Sequence, residues 1–250
     1  MKLRSCLLPI LLFTLGFASP AALRAAEAVK SLAAKGTPLE QGERISFIGD
    51  SITMQGGFVA VIEKAIAASE ATKDLGVKVC KHGLNGARVD TIVGGETPWG
   101  KQSPYAELLK TDEPTVVVLY LGVNDVEQGQ INPEEFEAGL GKLVAEAKAT
   151  GATVIVLTPA VAGETIDESP RNVKLDQYAA ISRKVAAEQK VTLCDVRHAF
   201  VAFLQKHNTD KKPHGLLTYD GIHMSAAGND LLAETISQSL IEALGARKSE

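Results

Sequence analysis

The feature that most constrains this chain is a series of five short apolar runs separated by amphipathic stretches. The runs are rich in Val, Ile and Leu and mostly do not alternate with polar residues, which is typical of strands buried on both faces of a parallel sheet. They are RISFIGDS, VKVCKHG, TVVVLYLG, TVIVLTPAV and VTLCDV. The stretches between them carry apolar residues at three-to-four spacing, which predicts helices. These are FVAVIEKAIAASEATKDL, PEEFEAGLGKLVAEAKAT and KLDQYAAISRKVAAEQK.

Alternating strands and helices predict an α/β fold, a three-layer α/β/α sandwich around a five-stranded parallel sheet. Five strands fit the flavodoxin-like order 2-1-3-4-5. Asn132 and Pro133 are suited to the N-cap and first position of one helix, which ends at Gly151. A final helix is expected from about Ser225 to Leu244.

The first residues have the three-part organisation of a secretory signal peptide. Lys2 and Arg4 precede an apolar stretch over residues 7–17, and small residues follow. That stretch is shorter than the roughly 20 apolar residues of a membrane-spanning helix. We therefore expect residues 1–28 to be a signal peptide and the mature chain to begin at Val29, with an uncleaved anchor as the alternative. The mature protein is expected to be periplasmic or extracellular, without stable membrane association.

Residues 29–250 are expected to form a single domain, because the sequence contains no internal repeat, low-complexity tract or linker. Residues 28–42 are interpreted as a lead-in to the first strand. The formal net charge is -4, with 26 basic and 30 acidic residues and no block of like charges. This balance argues against a nucleic-acid partner or a polybasic membrane contact.

Two cysteines, Cys80 and Cys194, would remain after cleavage. An exported chain with two thiols suggests a disulfide. However, the predicted strand order places Cys80 on strand 2 and Cys194 on strand 5, at opposite edges of the sheet. Because a disulfide needs Cα atoms within about 7 Å, we predict two buried free thiols.

Polar residues that can perform acyl chemistry collect at the carboxyl ends of the predicted strands, where ligands bind in open α/β sheets. Strand 1 ends at Asp50-Ser51, and turns after strands 2 and 3 contain Gly86 and Asn124. Asp220 and His223 lie in a turn before the last helix.

These residue types match the requirements of ester cleavage. A serine hydroxyl such as that of Ser51 is a weak nucleophile until a base takes its proton, and histidine accepts and returns protons near neutral pH. Among five histidines, His223 alone follows an acid, Asp220, by three residues in a turn rich in small residues. The Ser51 and Gly86 N–H groups and the Asn124 amide are candidate donors to an oxyanion.

The blocks GDSIT, GLNG, GVND and DGIH occur in this order across most of the mature chain. Together they resemble the four signature blocks of the SGNH (GDSL-type) hydrolase superfamily. The resemblance implies a nucleophile, Ser51, a base and its partner, His223 and Asp220, and oxyanion donors from Ser51, Gly86 and Asn124. Ile52 departs from the family's name motif, which has leucine, by a conservative apolar change.

Two further acids, Asp50 and Asp125, are expected to brace their loops by hydrogen bonding. A metal site formed by Asp50, Asp125, Asp220 and His223 is the alternative, because carboxylates and imidazole bind divalent ions. That alternative leaves the serine and the oxyanion donors unexplained. No metal or other cofactor is therefore expected.

The expected function is that of a secreted serine esterase acting on short acetyl esters, by resemblance to carbohydrate acetylesterases. Trp99 is a candidate substrate contact because an exposed indole can stack on a sugar ring, although a packing role is the alternative. His82 near the same edge is a second candidate contact, with a structural role as its alternative. A lysophospholipase or thioesterase, and a non-catalytic glycan-binding module on the same fold, are the competing interpretations.

Overall fold

The computed structural model of this chain describes residues 27–127 and 131–248. Its main sheet has five parallel strands, namely β1 (Arg44–Gly49), β2 (Lys78–Gly83), β5 (Val116–Tyr120), β6 (Thr153–Leu157) and β7 (Thr192–Cys194). Their order across the sheet is β2-β1-β5-β6-β7. When only the strands of this sheet are numbered along the chain, the order is 2-1-3-4-5, as predicted. The α/β fold class is also confirmed. Two short strands, β3 (Glu96–Thr97) and β4 (Gly100–Lys101), form a separate antiparallel ribbon.

Helices cover the sheet on both faces. They are α1 (residues 27–32), α2 (Ser51–Gln55), α3 (Gly57–Ala68), α4 (Thr91–Gly94), α5 (Tyr105–Asp112), α6 (Val123–Glu127), α7 (Pro133–Ala149), α8 (Pro170–Gln189), α9 (Val196–His207) and α10 (Ala226–Arg247). Asn132 caps α7 in a capping box with Glu135, as its position before Pro133 predicts.

Helix α3 ends at Ala68, earlier than its sequence pattern predicts. Ser69 adopts an extended conformation, and its hydroxyl donates to the carbonyl of Ala33. The hydroxyl of Thr72 donates to the carbonyl of Ile66 at 2.6 Å. The Thr72 bond takes up a carbonyl of α3 that a longer helix would use, and the Ser69 bond holds the chain against the segment before β1, which together explain the early end.

The alternating side chains of each central strand enter two separate hydrophobic layers. On β5, Val116, Val118 and Tyr120 belong to the layer beneath α3, α9 and α10. Val117 and Leu119 belong to the opposite layer, beneath α7 and α8. Burial on both faces explains why these strands read as unbroken apolar runs.

The segment interpreted as a lead-in packs against the domain. Leu32 of α1 is fully buried and Leu39 nearly so, and both belong to the layer beneath α3 and α10. Residues 1–26 of the predicted signal peptide lie outside the described residues. Within the described part of the chain, no helix has both the length and the apolar character needed to cross a bilayer.

The two cysteines are free thiols on β2 and β7, at opposite edges of the sheet. The prediction that they form no disulfide is confirmed. Cys194 is fully buried, whereas Cys80 is partly exposed, so the prediction that both are buried was wrong for Cys80. The reason is that β2 is an edge strand whose side chains are all at least partly exposed.

Candidate active site

The parallel register aligns the ends of three neighbouring strands. Gly49 at the end of β1 pairs with Gly83 of β2 on one side and with Tyr120 of β5 on the other. The chain therefore leaves all three strands at the same level, and the loops that follow lie side by side. Ser51, Gly86 and Asn124 are each two to four residues beyond this aligned level.

A sharp turn places Ser51 at the tip of β1. Asp50 is the N-cap of α2, and its carboxylate accepts the N–H of Ile52 at 2.9 Å. A Cβ at Gly49 would overlap the hydroxyl of Thr53 and the carbonyl of Tyr120, so the turn requires glycine there. Ser51 is the first residue of α2, where backbone N–H groups have no acceptor within the helix. Its N–H is thus available to a bound group.

Ser51, His223 and Asp220 form a continuous hydrogen-bonded chain. The His223 Nε2 atom lies 2.9 Å from the Ser51 hydroxyl oxygen, and its Nδ1 atom lies 2.7 Å from Asp220 Oδ2. Both distances are within the range of a nucleophile, its base and an orienting group. The structure therefore brings together the three residues that the sequence predicted as catalytic.

Asp220 also holds the backbone of its own turn. Its Oδ1 atom accepts the N–H groups of Ile222 and His223, at 2.9 and 2.8 Å. Although partial burial acts to raise the pKa of Asp220, the hydrogen bonds from the His223 ring and backbone outweigh it and lower the pKa. A carboxylate that stays ionised can fix the imidazole ring and stabilise its protonated form.

Gly86 occupies a tight turn after β2. The N–H of Ala87 donates to the carbonyl of Leu84 at 3.0 Å, which closes the turn. Gly86 has φ +68, a left-handed conformation that favours glycine at the third position of such a turn. The N–H of Leu84 donates to the carbonyl of Gly49 at 3.0 Å, which holds the turn beside the tip of β1.

Asn124 lies in the first turn of α6 and contacts the same loop. Its Nδ2 atom donates to the carbonyl of Ala87 at 3.1 Å. A side-chain amide nitrogen carries two protons, so this bond leaves one for another acceptor. The structure thus places the predicted oxyanion donors Gly86 and Asn124 on adjoining, hydrogen-bonded segments.

Asp50 and Asp125 are buried beneath these loops. Asp125 accepts the N–H of Val89 at 3.0 Å, and its second oxygen has no hydrogen-bond partner. Burial raises the pKa of Asp50 and of Asp125 to about 7. Both carboxyl groups bind backbone of their surrounding loops, the geometry of the bracing role that the sequence suggests. Among residues 27–127 and 131–248, these acids do not form a group with His223 at metal-ligand spacing.

Trp99 lies directly against the Gly86 turn. Its side chain is 58% exposed, and a Cβ at Gly86 would overlap its six-membered ring. The β3–β4 ribbon carries this indole, and Thr97 of the ribbon donates to the carbonyl of Asn85 at 2.6 Å. Trp99 therefore has the packing contact that was one of its two predicted roles, and it also presents an exposed aromatic surface.

His82 belongs to a different cluster from the triad. Its Nε2 atom lies 2.6 Å from the carboxylate of Asp112, which also accepts the hydroxyl of Ser46 at 2.6 Å. The thiol of Cys80 lies in the same group. The structure thus places His82 in a side-chain network between β1, β2 and α5.

Sequence reasoning missed two residues that contact His223 or support the turn that carries it. The ring of Tyr219 is stacked on His223 with centroids 5.8 Å apart, and its hydroxyl accepts the side-chain amide of Gln55 at 2.8 Å. Tyr219 directly precedes Asp220, and an aromatic residue there was the available signal.

The second missed residue is Glu164, whose side chain is buried. It accepts the backbone N–H groups of Leu216, Leu217 and Thr218 at 2.6–2.9 Å, and the Thr218 hydroxyl at 2.8 Å. These residues precede Asp220, so Glu164 fixes the start of the turn that carries the acid and the histidine. An isolated acid after an apolar strand end was its only sequence signal.

Comparison with known proteins agrees with this geometry. The GDSL-like Lipase/Acylhydrolase family matches residues 47–231. An acetylxylan esterase of Geobacillus stearothermophilus is 26% identical over 223 residues, which cover 80% of this chain and 94% of that protein. Esterase TesA of Pseudomonas aeruginosa is 26% identical over 208 residues, 83% of this chain and 89% of that one. The crystal structure of the acetyl xylan esterase AlAXEase has a TM-score of 0.68, with 26% identity, and the match covers 78% of this chain and 98% of that one.

The raised pKa of Asp125 predicts a pH-dependent effect on stability. Between pH 4 and about 7, its carboxyl group is protonated in the folded chain and ionised in the unfolded chain. The stability that it contributes is therefore lost as pH rises through about 7. Asp125→Asn, which stays neutral and keeps an acceptor for Val89, should gain on the wild type over this range, by about 1–3 kcal/mol or several degrees of Tm.

Thermal unfolding of both proteins from pH 5 to pH 8 measures this difference. Asp74→Asn, at an exposed aspartate, is the matched control and should show no such trend. A Tm difference between Asp125→Asn and the wild type that stays constant with pH would contradict the assignment.

Proposed function

The chain belongs to the GDSL-like Lipase/Acylhydrolase family and is a carboxylic ester hydrolase, and we propose that it removes acetyl groups from carbohydrate through a Ser-His-Asp acyl-enzyme mechanism. The observation that carries the mechanism is the hydrogen-bonded chain from Ser51 through His223 to Asp220.

Acylation begins when the Ser51 oxygen attacks the acetyl carbonyl carbon. The proton of Ser51 passes to His223 Nε2, and Asp220 stabilises the resulting imidazolium. The carbonyl oxygen becomes an oxyanion, which accepts hydrogen bonds from the Ser51 and Gly86 N–H groups and the Asn124 amide. Such donors are typically worth about 2.7–4 kcal/mol each.

Collapse of the intermediate breaks the ester bond. The departing sugar oxygen takes the proton held by His223, which leaves the acetyl group on Ser51. Water then attacks this acyl-enzyme while His223 accepts a proton from it, and a second collapse releases acetate and restores the serine hydroxyl. The same imidazole therefore acts as base and as acid in each half of the reaction.

A carbohydrate substrate is supported by the surroundings of the triad. Two exposed aromatic side chains flank it, Trp99 at 58% and Tyr219 at 53% exposure. Asp220 itself is 42% exposed on its side chain, so the catalytic groups are open to a bulky polymer. Aromatic faces rimmed by polar groups suit sugar rings, which present both C–H and hydroxyl surfaces. The related proteins named acetylxylan esterases support the same substrate class.

Replacement of triad residues tests the mechanism. Ser51→Ala and His223→Ala should each lower kcat on p-nitrophenyl acetate by at least about 10⁴-fold, and the double variant should lose little more, because the two side chains act as one unit. Asn124→Ala should lower kcat by roughly 10²–10³ with KM nearly unchanged, because its amide acts on the transition state. His207→Ala, at an exposed histidine in the last turn of α9, is the matched control and should retain full activity.

Two results would overturn this mechanism. One is full activity in Ser51→Ala. The other is a double variant whose loss equals the sum of the single losses in free energy, which would mean that the serine and histidine act independently.

Replacement of Trp99 tests the substrate class. Trp99→Ala should raise KM for acetylated xylo-oligosaccharides by roughly tenfold, equivalent to about 1.4 kcal/mol, and change turnover of p-nitrophenyl acetate little. Acetate release from acetylated xylan, pectin and chitin fragments, beside lysophospholipid and acyl thioester controls, measures the preference. An equal loss on the small and large substrates would assign the indole to supporting Gly86 alone. Faster hydrolysis of the lipid or thioester controls would favour the competing lysophospholipase or thioesterase function.

The proposal also includes export of the protein after cleavage of its signal peptide. Basic, apolar and small-residue regions precede Val29, and cleavage there retains Leu32 and Leu39, which are buried against the domain. N-terminal sequencing of protein from its native host should begin near Val29. Recovery of a chain with intact Met1 from the cytoplasm would contradict export.

A further inference from the structure

A cluster of three potential metal ligands lies at the β2 edge of the sheet. Cys80 and His82 are two residues apart on β2, so their side chains leave the same face of the strand. Asp112, the last residue of α5, lies against both side chains. The thiol sulfur, one imidazole nitrogen and one carboxylate oxygen all lie within 4.8 Å of one another.

These distances are compatible with a tetrahedral ion. Zinc binds sulfur at about 2.3 Å and nitrogen or oxygen at about 2.0–2.2 Å, which separates the ligand atoms by roughly 3.3–3.8 Å. His82 Nε2 and Asp112 Oδ2 are 2.6 Å apart and share a hydrogen bond. Small rotations of these side chains would open that pair by about 1 Å and admit an ion in place of the proton.

The ligand set also discriminates between metals. Thiolate and imidazole favour borderline and softer ions such as Zn²⁺, whereas Mg²⁺ and Ca²⁺ prefer oxygen ligands throughout. The negative charge of the Asp112 carboxylate, which lies in the same cluster, attracts a cation, and a bound ion would in turn favour the thiolate of Cys80.

The ligands are supported and accessible. Ser46 of β1, itself buried, donates its hydroxyl to Asp112 at 2.6 Å and orients that carboxylate. Such hydrogen bonds to a ligand are typical around metal sites. The His82 side chain is 22% exposed at the edge of the sheet, so an ion and one water molecule can reach the cluster.

We propose that Cys80, His82 and Asp112 form a three-ligand site for a divalent transition metal ion of the zinc type, with water as the fourth ligand. The proposed site lies apart from the triad. Its ligands come from β2 and α5, whereas the triad comes from α2 and the turn before α10. A bound ion would link the edge strand β2 to helix α5. The end of β2 leads into the Gly86 turn. This proposal departs from the expectation that the protein holds no metal.

Cobalt binding to the untagged mature protein tests the site. After removal of metals by EDTA and of EDTA by dialysis, one equivalent of Co²⁺ should produce absorption from sulfur-to-cobalt charge transfer, and Zn²⁺ should abolish it by displacement. Cys80→Ser should lose this band. His82→Ala and Asp112→Asn should each weaken Zn²⁺ binding, measured by competition, by at least tenfold. Cys194→Ser, at the opposite edge, is the matched control and should keep the band.

Thermal unfolding provides a second measurement that needs no chromophore. Zn²⁺ should raise the Tm of the wild type and of Cys194→Ser, because it binds the folded site, and leave the Tm of Cys80→Ser unchanged. Absence of the band from the wild type, or its persistence in Cys80→Ser, would overturn the proposal. Ser51→Ala should bind cobalt as the wild type does. The outcome is therefore independent of the proposed esterase mechanism.

Discussion

The candidate active site depends on the parallel pairing of β1 with β2 and β5. Because Gly49 is in register with both Gly83 and Tyr120, three strand ends stop at one level. The loops that follow can then share hydrogen bonds, as Leu84 does with Gly49. A shift of one residue in either pairing would turn the alternating side chains of a strand to the wrong layer, so the hydrophobic core enforces this register. The relative positions of Ser51 and of the proposed oxyanion donors are thus fixed by burial of side chains far from the site.

The acidic groups beneath the nucleophile carry an energetic cost. Asp50 and Asp125 are both almost completely buried, and the charge of Asp125 adds to the cost of ionising Asp50. A neutral side chain would avoid that penalty. Both carboxyl groups, however, accept backbone N–H groups, of Ile52 and of Val89, where an unsatisfied buried donor would cost about 1–3 kcal/mol. The segments that carry Ser51 and Asn124 therefore retain costly acids as internal acceptors.

The strands, their order and the proximity of Ser51, Asp220 and His223 could be predicted from the sequence. The strands follow from local apolar patterns, and the proximity follows from the rule that functional groups collect at the carboxyl ends of parallel strands. Apolar runs report burial directly, and the spacing of Asp220 and His223 allows one carboxylate to reach both its own turn and the ring. Side-chain contacts between distant segments were not accessible in this way. Glu164 acts on a turn more than 50 residues away, and His82 pairs with Asp112 across two elements. Such partners depend on the packing of α5 and the loop after β6, which no local pattern encodes.

At Gly86, the proposed oxyanion donor and the proposed sugar-binding surface meet in a single position. Its positive φ suits a residue without a side chain, and the indole of Trp99 occupies the space where a Cβ would lie. The backbone N–H proposed to stabilise the oxyanion and the aromatic surface proposed to bind sugar are therefore in direct contact. Because Thr97 fastens the ribbon to the same turn, movement of the indole would also move the donor. A glycan bound on Trp99 would press against the turn that is proposed to stabilise the transition state. Binding energy from parts of the sugar remote from the ester can then contribute to the rate as well as to affinity.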